Sequence, residues 1–246
     1  MNDGISNVYD DAARAAAYAR LEYPGTYALA FRDLPDILGE QIQGRRAVDF
    51  GCGAGRSTRF LRELGFEAVG LDISRAMIEQ ARRLDPHGDY RLVEGSALAG
   101  LEPGGFDLVL SAFTFDNVPT LKEKGRLLEA LGTLLAPNGR LINLVSAPEI
   151  YVNEWASFST RDFPENRQAQ SGDPVRIVML DVEDRRPVID VLTSEEDYLA
   201  AYGRAGLDLL QVYRPLGKPT DGQNWVSEPH IAPWTIYLLA RATGRS

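Results

Sequence analysis

The sequence predicts an α/β protein built on a doubly wound, mostly parallel sheet, and three observations carry that prediction. Short apolar runs alternate with amphipathic stretches from Arg46 to Val145, the rhythm of strand–helix–strand units. One run, Phe106-Asp-Leu-Val-Leu110, is almost continuously apolar, which suits a strand covered on both faces. A glycine turn from Gly51 to Gly55 separates the first strand from its helix, where open α/β sheets bind ligands.

Each element has its own signal. The alanine-rich stretch from Asp10 to Arg20 favours helix, and Tyr23-Pro24-Gly25 breaks it. Thr26 to Ile42 reads as a second helical stretch, with Pro35 as a kink or restart. This N-terminal piece, residues 1–44, precedes every strand and is expected to lie across a site as a lid. Arg46 to Phe50 is the first strand, Arg56 to Leu64 a helix stopped by Gly65, and Phe66 to Leu71 the second strand. Ser74 caps a helix running to about Leu84, with Met77, Ile78 and Ala81 at helical spacing. Tyr90 to Val93 is the third strand and Phe106 to Leu110 the fourth. Thr120 to Leu135 is a helix closed by Ala136-Pro-Asn-Gly139, and Arg140 to Val145 is the fifth strand.

After Ser146 the rhythm changes. Pro148 to Pro174 is long, polar and aromatic, with Tyr151, Trp155, Phe158 and Phe163. Val175 to Leu180 and Pro187 to Leu192 pair as an inserted hairpin across a charged turn. Ser194 caps a helix through Arg204, and Leu207 to Tyr213 and Trp234 to Ala240 are two last strands, completing seven in the main sheet. The expected organisation is one domain over 1–246: an N-terminal lid (1–44), a ligand-binding core (45–146), a cap insertion (147–193) and a C-terminal helix with antiparallel strands (194–246).

Composition narrows the function. The formal charge is −9, a sign that repels phosphate backbones, and no Lys/Arg block offsets it, so nucleic acid is not an expected partner. One cysteine, Cys52, excludes a disulfide within the chain and a multi-cysteine metal site. No metal-ligand cluster of suitable spacing appears. The first twenty residues hold no apolar run and no stretch reaches membrane-spanning length, so a cytoplasmic protein, monomer or homodimer, is expected.

The strongest motif is Asp49-Phe-Gly51-Cys-Gly53-Ala-Gly55 between strand and helix. Glycines let the backbone turn sharply and approach a ligand, and the helix N-terminus behind offers free amides. A dinucleotide fingerprint would need a third glycine at position 56, which is Arg56, so a nicotinamide-dependent oxidoreductase is disfavoured. The pattern D-x-G-x-G-x-G instead resembles motif I of the class I S-adenosylmethionine (SAM)-dependent methyltransferases. Val69-Gly-Leu-Asp-Ile-Ser74, Phe106-Asp-Leu-Val-Leu110 and Leu135-Ala-Pro-Asn-Gly-Arg-Leu141 resemble its later motifs. Residues 45–146 carry the resemblance, and Ser194 to Arg241 fits the family's last helix and antiparallel strands.

The resemblance implies a Rossmann-like methyltransferase fold with SAM as cofactor. It places Asp49, Gly51, Cys52, Gly53, Gly55, Asp72, Ile73, Met77, Ser96, Ala97 and Ser111 against the cofactor. Asp72 is the ribose carboxylate, Met77 lies beside the adenine, and Asp49 fixes the loop. Where the family often has an acidic residue after the third strand, this chain has Glu94-Gly95-Ser96-Ala97, and Ser96 takes the contact without the charge. The implied reaction is in-line methyl transfer to an O or N atom of a small acceptor. The chain lacks the Asn/Asp-Pro-Pro-aromatic motif of nucleic-acid amino methylases and the Pro-Cys nucleophile of cytosine enzymes. A non-catalytic SAM-binding module and a protein or RNA methyltransferase are the alternatives. Acceptor-site candidates are Phe113, Phe115, Asp116 and Asn117 after the fourth strand. Tyr18 and Tyr23 join them from the lid, and Tyr151, Trp155 and Arg176 from the insertion. His230, in Glu228-Pro-His-Ile231, is the candidate general base, with a loop histidine as its alternative reading.

Overall fold

The computed structural model describes residues 21–93, 98 and 100–242. The predicted helix over Asp10–Arg20 and the candidates Tyr18, Ser96 and Ala97 lie outside those residues.

The strands are β1 (Arg46–Phe50), β2 (Glu67–Asp72), β3 (Asp89–Leu92), β4 (Phe106–Ala112), β5 (Leu135–Ser146), β9 (Leu207–Tyr213) and β10 (Trp234–Arg241) of the main sheet. A smaller sheet holds β6 (Phe158–Ser159), β7 (Pro174–Met179) and β8 (Val188–Val191). Helices are α1 (Thr26–Arg32), α2 (Leu34–Gln41), α3 (Arg56–Glu63), α4 (Arg75–Leu84), α5 (Leu121–Leu134) and α6 (Glu195–Arg204). The seven-stranded sheet runs β3-β2-β1-β4-β5-β10-β9, parallel except for β10, which is antiparallel to both neighbours.

The interior strands are apolar because both faces are covered. One face packs Leu108, Leu110, Ile142 and Leu144 against Leu29, Phe31, Leu34 and Leu38 of α1 and α2. The other packs Val48, Val109, Leu141 and Leu239 against Leu128 and Leu131 of α5 and Tyr198 and Tyr202 of α6. Strand order reverses between β1 and β4, so the loops leaving their carboxyl ends diverge and open a crevice.

The structure differs from the sequence reading in three places. The helical stretch from Thr26 to Ile42 divides at Asp33, and Pro35 sits in the first turn of α2, where its missing N–H costs nothing. β5 starts at Leu135 instead of Arg140. Leu135 pairs with Phe106, the ladder resumes at Leu108↔Arg140, and 136–139 bulge between them. Gly139 permits this, since a Cβ there would lie 2.7 Å from Phe106 O. Finally, the inserted hairpin β7–β8 gains a third strand, β6, whose Phe158 pairs with Met179.

Candidate functional site

A cavity of about 880 Å³ lies in the crevice beyond the carboxyl ends of β1 and β4. Its two ends differ in chemistry.

At one end is the glycine loop. Gly51 N and Cys52 N both donate to Leu71 O, at 2.8 and 2.9 Å, which ties the loop to the end of β2. Gly51, Gly53 and Gly55 all have positive φ, at 75°, 53° and 84°. Gly51 has a second reason to be glycine, because a Cβ would fall 2.0 Å from Thr114 Oγ1. Gly53 differs, with nothing within 4 Å of its would-be Cβ, so the loop borders open space there. Gly53 N donates to Asp72 Oδ2 and Ser74 N to Asp72 Oδ1, each at 2.8 Å, which fixes the carboxylate beside the loop on the cavity wall. Ile73, Met77 and Val93 extend this end as an apolar strip.

Asp49 supports the loop from behind. It is fully buried, and its Oδ2 accepts from Ser57 Oγ at 2.7 Å and Thr58 Oγ1 at 2.6 Å, both in the first turn of α3. Burial pushes its carboxyl up to about 6, against the lowering effect of those two hydroxyls. Cys52 is buried on the cavity wall, and burial, then the Asp49 and Asp72 charges, raises its thiol well above the usual range. That environment disfavours a thiolate nucleophile.

At the other end is a chamber of aromatic rings and buried carboxylates. Tyr27 and Phe31 come from α1, Phe113 from the end of β4, Phe158 from β6 and Trp234 from β10. Phe113 is the non-glycine residue with positive φ among the described residues, at 64°. Such strain at a site wall persists where packing over-determines it. Here Trp234 packs 4.7 Å from its ring and Tyr27 at 5.8 Å. Deeper in, Asp116 accepts from Ser146 N at 3.1 and 3.2 Å and from Ser146 Oγ at 2.8 Å. Asp190 Oδ2 accepts from Tyr151 Oη at 3.0 Å. Lys124, fully buried on α5, donates to Phe115 O. Burial raises both carboxyls and lowers the Lys124 ammonium; the Asp190 charge raises Asp116 further, while Lys124 lowers both carboxyls and they raise Lys124.

Of the described sequence candidates, Gly51, Cys52, Gly53, Asp72, Ile73, Met77, Phe113, Asp116, Asn117 and Tyr151 line the cavity. Others do not. Asp49 and Gly55 lie behind the loop, Gly55 against the Tyr90 ring. Ser111 is buried between β1 and β5, and Phe115 packs on Phe50 in the opposite core. Trp155 is core, its Nε1 donating to Ile150 O at 2.9 Å. Tyr23 packs on Phe31 and Phe60 outside the wall. Arg176 pairs with Glu165 and stacks on Phe163 away from the cavity. His230 is exposed and off the wall, so its position does not suit a general base for this chamber.

The sequence reading missed Asp190, Lys124, Ser146 and Glu228. Two had a legible signal. Asp190 is buried in β8 while Ile189 beside it is exposed, so a carboxylate occupies the inward phase of the strand. Lys124 shares the buried stripe of Leu128 and Leu131 at helical spacing.

No helix among the described residues is long and apolar enough to cross a membrane, and no His, Cys, Asp or Glu group among them is placed to hold a metal.

Comparison with known proteins adds an independent line. Residues 48–143 match the family model of a methyltransferase domain. A ubiquinone biosynthesis O-methyltransferase from Methylococcus capsulatus is 33% identical over 102 residues, 40% of this chain and 42% of that protein. Its counterpart from Ralstonia nicotianae is 32% identical over 107 residues, 41% and 42% of the two chains. The chain thus spans about two fifths of the length of the curated relatives it matches. Among solved structures, a SAM-dependent methyltransferase from Mesorhizobium loti superposes with TM-score 0.62 at 20% identity, covering 88% of this chain and all of that one. The CcbJ methyltransferase from Streptomyces caelestis gives 0.63 at 16%, covering 90% and 100%. These structures share the fold. Residues 48–143, which carry the glycine loop and its facing carboxylate, thus resemble a methyltransferase domain.

Proposed function

We propose that the protein transfers a methyl group from SAM to an O or N atom of a small acceptor held in the aromatic chamber. One observation carries this reading. A single cavity joins the glycine loop and Asp72 at one end to the rings and buried polar groups at the other.

The residues present fit SAM. Asp72 offers carboxylate oxygens to a ribose diol, and Ile73, Met77 and Val93 provide an apolar slot for a base. The open space at Gly53 and the N-terminus of α3, beginning at Arg56, suit the carboxylate of an amino-acid tail. When bound, SAM supplies a methyl already activated on a sulfonium.

What the chain contributes is position. Tyr27, Phe113 and Trp234 hold the acceptor body, exclude water and aim its lone pair at the methyl carbon. Asp116, Asp190 and Tyr151 fix its polar end.

The reading is tested with S-adenosylhomocysteine (SAH) by calorimetry. Wild type is expected to bind it, and Asp72→Ala to bind about tenfold or more weakly, the loss of a charge-assisted hydrogen bond. Unchanged affinity in Asp72→Ala would remove the ribose assignment. No SAH binding by wild type would end the methyl-transfer reading.

A further inference from the structure

We propose that the acceptor is an amine on an apolar body, bound as its ammonium by Asp190 and Asp116, with Asp190 taking the proton whose loss frees the nitrogen lone pair. This rests on the reading of the cavity as a methyl-transfer site and adds the class of acceptor.

The first support is an unfilled hydrogen-bond position. Asp190 forms part of the cavity wall and is 93% buried, its relative exposure being 7%. Its Oδ2 is taken by Tyr151, but its Oδ1 has no partner among the described residues. A buried carboxylate oxygen left bare costs free energy, so a donor is called for at that atom. Asp116 differs, since Ser146 already supplies both its oxygens.

Charge decides what kind of donor. Both carboxylates act on Lys124, and Lys124 is the cation that lowers them both. Tyr151, Tyr198 and Tyr202 face the pair as neutral phenols, raised by burial first. Two carboxyls face one lysine, and burial favours a proton on the pair that balances the charge; a bound ammonium takes the place of that proton. A hydroxyl acceptor would satisfy Oδ1 and leave that proton in place. A carboxylate acceptor would add a buried negative charge. An ammonium both donates to Oδ1 and supplies the counter-charge of the ionised pair.

The opposite wall agrees. Tyr27, Phe113, Phe158 and Trp234 form one cluster, with centroids 4.7 to 5.9 Å apart. The Tyr27 ring already carries the Arg56 guanidinium at 4.8 Å, so Phe113, Phe158 and Trp234 are the rings left to bury the apolar body and face its cation.

The chemistry balances. The ammonium gives one proton to Asp190 Oδ1, leaving a neutral amine and a neutral carboxylic acid. The nitrogen lone pair then forms the N–C bond as the C–S bond breaks, and that bond's electron pair returns to sulfur. The positive charge moves from sulfur to the methylated nitrogen, and neither oxidant nor reductant is needed. Burial raises the proton affinity of Asp190, which suits it to accept from an ammonium near neutral pH.

The test uses three isosteres on the SAH-loaded protein: 2-phenylethylamine, 2-phenylethanol and 3-phenylpropanoate. Calorimetry is expected to rank the amine about tenfold or more above the alcohol, with the carboxylate weakest. Asp190→Asn should erase about tenfold of that preference while SAH affinity stays within about twofold of wild type. Tyr151→Phe removes a hydrogen bond and keeps the charge, and should retain the ranking. With labelled SAM, label should enter the amine and not the alcohol. The wild-type ranking needs no variant to fold. Equal binding of amine and alcohol, no binding of the amine, or a preference that survives Asp190→Asn would overturn the inference. Each of those results leaves SAH binding intact, which separates them from failure of the methyl-transfer reading.

Discussion

Asp49 shows how one residue ties the loop to the helix behind it. Its carboxyl is held above its value in an unfolded chain, chiefly by burial, at about 6. The sign follows from linkage. The folded state binds the proton more tightly, so the stability Asp49 contributes is full below about pH 4 and lost as pH rises through about 6. Asp49→Asn removes that titration. The stability of wild type relative to Asp49→Asn is expected to fall by roughly 2 kcal/mol from pH 4 to pH 7, read by denaturant unfolding. A difference flat across that range would contradict the burial. The loop glycines split in the same way. Gly51→Ala drives a Cβ into Thr114 and is expected to cost about 2 kcal/mol or more of stability. Gly53→Ala meets no neighbour, so it is expected to cost about 1 kcal/mol from its φ alone and to weaken SAH binding out of proportion. Thermal unfolding and SAH titration of the two variants separate the effects.

At the scale of elements, the chamber is assembled by a buried carboxylate that lies outside its wall. Glu228 is fully buried; its Oε1 accepts from Thr26 Oγ1 at 2.6 Å and Ala156 N at 2.8 Å, and its Oε2 from Val226 N at 2.8 Å. Thr26 and Ser157 also bond reciprocally, Thr26 N to Ser157 Oγ at 2.9 Å and Ser157 N to Thr26 Oγ1 at 3.0 Å. Trp234 Nε1 closes the group on Thr26 O at 2.8 Å. So α1, the insertion after β5 and the loop before β10 are held to one another where each supplies a ring to the chamber. Glu228→Ala strands the Ala156 and Val226 amides and is expected to cost about 3 kcal/mol in chemical denaturation. A loss under about 0.5 kcal/mol would mean that the three segments are held elsewhere.

For the molecule as a whole, the glycine-loop end of the cavity was readable and the aromatic end was not. Strand and helix periodicity, the glycine turn and Asp72 are local features, set within a few residues, so the core from β1 to β5 could be read in order. The chamber is a product of long-range packing. Tyr27, Phe158 and Trp234 are far apart in sequence and meet across ring distances of 5.1 to 5.9 Å. No spacing rule joins them. Trp155 and Phe115 were equally aromatic and equally plausible as walls, and only the fold turned them inward to core. Asp190 and Lys124 left a trace, a charge in an apolar phase, which has meaning once the neighbouring face is known.

The placement of β10 has a further consequence. It is threaded between β5 and β9 rather than laid along an edge, and it pairs with Leu141 to Ser146 from nearly a hundred residues away. In any refolding order that sets β5 beside β4 first, β5 keeps one row of amides and carbonyls bare until the intervening chain has found its place. Until that gap is filled, the halfway molecule offers a sticky apolar margin to its neighbours, and crowding among refolding chains would punish any delay.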